Sequence, residues 1–176
     1  MFTPNHLSIL GIIHTAISVF ALLAAFYALY RSGRIDPATA PGKWYIWLTI
    51  ATCLTSLPIM KTGHVTVAHY VAITILVLIP LGVYIKSLRI FGKLADYVQI
   101  FFLSTTIFLS CIPAIVETLT RLPISGPIAG EGPNDPIIQK CTGALVLLYF
   151  LGMIYQIVKL WSRRKKGGQQ LNSAVN

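Results

Sequence analysis

The sequence predicts an all-α protein, namely a polytopic integral membrane helix bundle with five transmembrane helices, the N-terminus outside and the C-terminus in the cytoplasm. Two bulk properties support the membrane part of this prediction. Of the 176 residues, 55% are hydrophobic and 11% are charged, and the mean hydropathy is +0.72. Because soluble domains carry roughly a quarter charged residues, a chain this apolar cannot cover its surface with polar groups. We therefore expect lipid to solvate it.

Long apolar runs predict the number of helices. A helix that spans the hydrocarbon core needs about 20 predominantly apolar residues, within a range of about 17 to 25. Five segments meet this condition, and we expect them to form a single transmembrane bundle over residues 1–160. They cover about residues 7–30, 44–60, 67–85, 97–119 and 138–158.

Three of these predicted spans contain a proline. Pro58, Pro80 and Pro113 lie in the second, third and fourth spans. Each proline removes a backbone donor, so we expect a kink at each position. Membrane bundles tolerate such kinks when neighbouring groups satisfy the freed carbonyl.

The basic residues predict the orientation, because lysine and arginine are enriched in cytoplasmic loops. Eleven of the fourteen fall in the first loop, the third loop and the tail, which an odd number of spans places on one side. We expect a bacterial inner membrane and a cytoplasmic tail, residues 161–176, that is basic and then disordered. Anionic lipid then accounts for the net charge of +9, and no nucleic-acid partner is needed. The eleven are Arg31, Arg34, Lys43, Lys86, Arg89, Lys93, Lys159, Arg163, Arg164, Lys165 and Lys166.

Histidines and one acid gather at the outer end of the predicted bundle. All four histidines, and the only acidic residue inside a span, lie in that half, whereas the cytoplasmic half contains neither. Because ionisable groups inside a membrane are costly, this asymmetry predicts a functional site. The residues are His6, His14, His64, His69 and Glu117, with Arg121 one turn beyond Glu117.

Helical periodicity favours the convergence of three of these residues. His14 lies on a stripe of small residues that lets helices pack closely in lipid, and Glu117 ends a mostly polar stripe on the fourth span. A bundle that turns these faces inward brings His14, His69 and Glu117 together. Each residue also has a structural interpretation. His14 can bridge a helix interface by a hydrogen bond, and Glu117 can pair with Arg121 at the helical spacing of four.

The segment GHVTVAH, residues 63–69, together with the histidine on the first span, resembles small bacterial b-type cytochrome-like membrane proteins. It is also similar to bacterial families known only as predicted membrane proteins. The resemblance covers roughly the first three spans and implies haem b. Imidazoles from two helices are the usual axial ligands in such bundles, and His14 and His69 are the pair placed for this role. A redox function linked to quinone would follow. His14 lies several ångströms deeper than His69. A haem bound by both would have to be tilted to span this difference in depth, or a metal ion would have to take its place.

Two further functions stay open. In one, His14, His64 and His69 bind zinc with an open position for water, and Glu117 is the catalytic residue of a membrane-embedded hydrolase. In the other, the chain has no cofactor and is an accessory or assembly subunit of a larger membrane complex. His6 and Arg121 are secondary members of either cofactor site. Whether the protein is an enzyme is not decided by the sequence.

The three cysteines carry no metal or redox signal. Cys53, Cys111 and Cys141 form no CxxC pair, so neither a zinc ribbon nor a thioredoxin-like motif is present. We expect buried thiols, and a disulfide between Cys111 and Cys141 is the alternative.

Overall fold

A computed structural model of the chain describes residues 9–59, 65–121, 128–129 and 134–175, without the side chains of residue 121 and of residues 168–175. Over these ranges all the regular structure is helical, which confirms the all-α part of the predicted fold class. Two short 3-10 turns, Ile85–Ser87 and Arg89–Leu94, join the third α-helix to the fourth. The α-helices are α1 (Ile9–Ser32), α2 (Ala40–Ser56), α3 (Val67–Tyr84), α4 (Ala95–Arg121) and α5 (Pro136–Val175).

Four of these five helices, α1, α3, α4 and α5, are long and apolar enough to cross a membrane. The fifth, α2, has 17 residues. At 1.5 Å per residue its length is about 26 Å, slightly less than the hydrocarbon core of about 30 Å. Within the described ranges, four of the five predicted spans therefore have the length and apolar composition of a spanning helix.

The second predicted span begins and ends earlier than expected. We predicted residues 44–60, whereas α2 begins at Ala40 because Thr39 caps it. The Thr39 hydroxyl accepts a hydrogen bond from the Gly42 amide at 3.3 Å, which satisfies one of the free donors of the first turn.

The kink predicted at Pro58 is wrong, because α2 ends at Ser56 and the proline follows it. Proline has no amide hydrogen to continue the helical hydrogen bonds, so it lies at a helix end here. Pro80 and Pro113 do lie inside α3 and α4, as predicted.

The helix α4 is the centre of the bundle. It contacts α1, α3, α5 and both 3-10 turns, whereas α1 packs mainly on α2 and α2 also contacts α3. Within their apolar windows, α3 and α4 have 33% and 39% of their residues buried, compared with 11% for α1 and 6% for α5. The outer faces of α1 and α5 are therefore the surfaces most open to lipid.

Polar side chains tie α4 to its neighbours. The Thr106 hydroxyl donates to the Leu103 carbonyl at 2.7 Å, so the Tyr45 hydroxyl of α2 must be the donor in its 2.8 Å contact with Thr106. On the opposite side, Ser104 and Gln156 join α4 to α5 through contacts of 3.0 and 3.2 Å. Such bonds stabilise contacts between transmembrane helices by about 0.6 kcal/mol on average.

The side chain of Gln99 in α4 caps the C-terminal end of α3 by a hydrogen bond. Its side chain is 1% exposed, and its amide nitrogen donates to the carbonyl of Gly82 at 2.8 Å. Gly82 is among the last four residues of α3, whose carbonyls have no partner within the helix. A Cβ at Gly82 would lie 2.9 Å from Leu103, so glycine also permits the close approach of α4.

The predicted basic loops meet at one end of the bundle, here called the basic end and defined by the eleven residues named above. Asp96, in the first turn of α4, is their common partner. One of its oxygens lies 2.8 Å from Lys86 and 3.2 Å from Arg34, and the other contacts Arg164. These pairs join the α1–α2 loop, the α3–α4 connection and α5. The opposite end, where α1 begins and α2 ends, is called the histidine end.

The helix α5 continues well beyond its apolar run. We expected a span over residues 138–158 and a tail that becomes disordered after its basic part, but α5 is helical to Val175. Arg164 donates to the Lys93 carbonyl at 2.8 Å and contacts Asp96, which holds α5 against the bundle past the apolar segment. Lysine, arginine and glutamine, which are good helix formers, also make up seven of the 17 residues from 159 to 175.

Candidate functional site

His14 joins α1 to α2 at the histidine end. Its Nδ1 lies 3.1 Å from the carbonyl oxygen of Thr52 and 3.1 Å from the hydroxyl of Thr55. A carbonyl oxygen only accepts, so Nδ1 carries the proton and Nε2 keeps its lone pair. Of the interpretations left open for this residue, the hydrogen bond across a helix interface is the one that the geometry supports.

His69 caps its own helix. It lies at the third position of α3, is 5% exposed, and its Nδ1 accepts a hydrogen bond from the backbone amide of Thr66 at 3.1 Å. An amide only donates, so Nδ1 holds no proton and the proton is on Nε2. This is the geometry of a capping box, in which His69 replaces the usual glutamate or glutamine. Among the described residues, His69 Nε2 is buried without a hydrogen-bond partner.

These two histidines therefore have opposite tautomers. Iron needs a lone pair on the nitrogen that binds it, and the other ring nitrogen then carries the proton. His14 Nε2 meets this condition, whereas His69 Nε2 does not while Nδ1 accepts the Thr66 amide. The residues present do not fit a haem bound by both rings.

The remaining predicted site residues are Glu117, Arg121, His6 and His64. Glu117 has an exposed side chain near the C-terminal end of α4. Arg121 is the last residue of that helix, and its side chain is not among those described. His6 and His64 both lie outside the described ranges.

No three histidine, cysteine or acidic side chains come together to hold a metal ion within residues 9–59, 65–121, 128–129 and 134–175. Cys53, Cys111 and Cys141 are free thiols. Cys53 is buried as expected, and the other two are half-buried.

A groove between α1 and α2 is a feature that the sequence analysis missed. It has a volume of about 470 Å³, lies towards the basic end, and its lining is mostly aromatic and aliphatic. The sequence does show that four of the lining residues share one face of α1, because their intervals are four, three and four. They are Phe20, Ala24, Tyr27 and Arg31. Along α1 the nearest lining residue, Phe20, is about 9 Å from His14 at 1.5 Å per residue, and His14 itself does not line the groove.

The electrostatics of the basic end depend on two carboxylates. Burial of Asp36 acts to raise its pKa, but the Ala38 amide, Arg34 and Lys86 outweigh this effect and hold the pKa below the ordinary value of 3.8. Asp36 accepts from the Ala38 amide and from Arg34, both at 3.0 Å. Arg34 thus bridges Asp36 and Asp96, and its guanidinium is fixed in position.

Comparisons of the chain with protein-family models, curated proteins and solved structures find no match. The resemblance to b-type cytochrome-like proteins therefore stays a prediction, and the function must be argued from the residues.

Proposed function

We propose that the protein is a cofactor-independent accessory or assembly subunit of a complex in a bacterial inner membrane. The observation that supports this function is that the two described histidines, His14 and His69, each hydrogen-bond to the protein itself. His14 joins α1 to α2, whereas His69 caps its own helix α3, so one ring holds two helices together and the other stabilises the start of a helix. A hydrogen bond between helices and a helix cap are both structural roles, and neither needs a ligand.

The surfaces of the bundle agree with an accessory role. α1 and α5 are the least buried of the four long apolar helices, and they flank the more buried pair. In a bilayer these faces meet lipid or a neighbouring subunit. The basic end then anchors the chain at the cytoplasmic surface, with the N-terminus outside.

The α2 helix completes five spans in this proposal. It packs along α1, and its two ends make contacts at opposite ends of the bundle, with Thr39 bonded to Asp36 and Thr52 to His14. A helix that joins both ends of a spanning bundle crosses the same hydrocarbon layer. A slight local thinning of the bilayer accommodates its shorter length.

Native electrophoresis of solubilised membranes tests the accessory function. The chain has a mass of 19.3 kDa, and we expect it to migrate within a much larger assembly. Membranes that lack the protein should contain less of that assembly, or a smaller form of it. If the chain migrates alone and its removal leaves all other complexes unchanged, the proposal is wrong.

Haem or metal binding is the second candidate, and it is favoured by one observation. The Nδ1 proton of His14 is held by a backbone carbonyl, so its Nε2 lone pair is available to a metal. The ligand on the other side would have to be a residue other than His69 in its present tautomer. Zinc hydrolysis needs three ligands, of which His64 lies outside the described residues.

A further inference from the structure

A small cavity lies at the basic end, between the end of α1 and the cytoplasmic half of α5. Its volume is about 90 Å³. This is several times the volume of about 30 Å³ per molecule of liquid water, so it has room for a small polar group. Ser32, Gly33 and Arg34 line it from one side, and Gln156, Lys159 and Arg163 from the other.

Three cations line this cavity, and no acidic residue does. Arg34 is held in place by Asp36 and Asp96. For Lys159 and Arg163, the part of the chain that the structure describes provides no carboxylate at salt-bridge distance. The Lys159 ammonium instead lies 2.9 Å from the hydroxyl of Tyr155. The cavity therefore has a surplus of positive charge.

Gly33 makes the close approach of Lys159 possible. Its amide donates to the Leu29 carbonyl at 2.7 Å, and its φ of +73° ends α1 in the left-handed conformation. A Cβ at Gly33 would lie between 2.6 and 2.9 Å from three atoms of the Lys159 side chain. The carbonyl end of α1 attracts one cation, but it does not account for both Lys159 and Arg163.

We propose that this cavity binds the phosphate of an anionic phospholipid from the cytoplasmic leaflet. Basic pockets between transmembrane helices on that side bind anionic headgroups. An apolar path for the acyl chains lies beside the cavity, because Tyr155, Val158 and Trp161 of α5 are each more than half exposed. This path favours a lipid over a soluble phosphate compound, which shares the same headgroup chemistry. The proposal does not depend on the accessory function.

Two charge-matched double variants test this site. Lys159→Gln with Arg163→Gln removes two cations from the cavity, whereas Lys165→Gln with Lys166→Gln removes two cations further along α5, outside it. We expect phosphatidylglycerol to stabilise the detergent-purified wild type and the Lys165/Lys166 variant against heat. The Lys159/Arg163 variant should bind this lipid at least about tenfold more weakly. Arg163→Gln alone, at an exposed position, should show a smaller loss in the same direction.

Two outcomes would overturn the proposal. One is equal binding of phosphatidylglycerol by the two double variants, which would assign the binding to general surface charge. The other is equal stabilisation of the wild type by millimolar inorganic phosphate, lost in the Lys159/Arg163 variant, which would assign the cavity to a soluble ligand. Phosphatidylcholine is the neutral control lipid and should stabilise none of the variants selectively.

Discussion

At the scale of single residues, the hydrogen bond of His69 is set by its neighbours in the sequence, whereas that of His14 is set by a neighbouring helix. The sequence around His69 reads Thr-Val-Ala-His, which has the spacing of a capping box. That spacing is visible in the sequence, but we predicted a ligand role for His69 because the histidines lie in the same half of the predicted bundle. The partner of His14 was less predictable, because the rotation of a helix in a bundle is set by its neighbours.

The capping role of His69 predicts a difference between two substitutions of similar size. Glutamine can accept the Thr66 amide from the same position, so His69→Gln should keep the stability of the wild type. His69→Leu removes the acceptor and should lower the free energy of unfolding by about 1 kcal/mol. Thermal unfolding in detergent measures both. Equal losses in the two variants would mean that the imidazole has a role that capping does not explain.

Gly42 is a position where the backbone leaves no room for a side chain. A Cβ there would overlap the carbonyl oxygen of Asp36, which also accepts from the Thr39 hydroxyl at 2.8 Å. Gly42→Ala should therefore lower the stability by about 1 to 3 kcal/mol, since the turn before α2 must shift. Gly143→Ala is the matched control, because a Cβ at that helical position meets nothing within 4 Å. A neutral Gly42→Ala would contradict the geometry of this turn.

At the scale of elements, the lengths of the apolar runs predict where the helices lie, and capping residues and prolines determine where they begin and end. The starts of α3 and α4 agree closely with the apolar runs, whereas Thr39 and Pro58 shift both ends of α2. The packing of α5 past its apolar run was not predicted, because it involves the long-range contacts of Arg164 with Lys93 and Asp96. Contacts of this kind leave no periodic pattern in the sequence.

The turn between α1 and α2 should weaken in acid. The pKa of Asp36 is lower in the folded protein than its ordinary value of 3.8. Its contribution to stability is therefore present in full above that value, and it is lost as the pH falls through the folded-state pKa. Wild type and Asp36→Asn should differ in melting temperature near neutral pH, and the difference should shrink as the pH falls from 3.8 through the lower folded-state pKa. A difference that stays constant with pH would contradict this role.

The crossing of α2 can be tested at its two ends. In a cysteine-free background, Ala38→Cys lies before α2 and Ile59→Cys after it. If α2 crosses and the N-terminus is outside, a membrane-impermeant maleimide added to intact cells should label Ile59→Cys only. Ala38→Cys should react only after the membrane is opened. Labelling of both positions from outside would mean that α2 does not span.

At the scale of the whole molecule, charge predicts the architecture better than it predicts the chemistry. The basic loops do meet at one end, where Asp96 forms salt bridges with Arg34, Lys86 and Arg164 from three separate segments. His14 and His69 both lie towards the opposite end, but their hydrogen bonds run to threonines of α2 and of the α3 cap. A shared depth in the membrane is therefore a weaker predictor of a ligand site than the hydrogen bonds that fix each ring.

The central claim is that His14 and His69 have structural roles, a contact between two helices and a helix cap, and do not bind a cofactor. Absorption spectra of the purified protein, oxidised and reduced with dithionite, together with metal analysis of the same sample, test it most directly. We predict a well-folded protein with no haem band and no stoichiometric metal. A reduced haem band that disappears in both His14→Ala and His69→Ala would contradict the claim and establish a cytochrome-like protein.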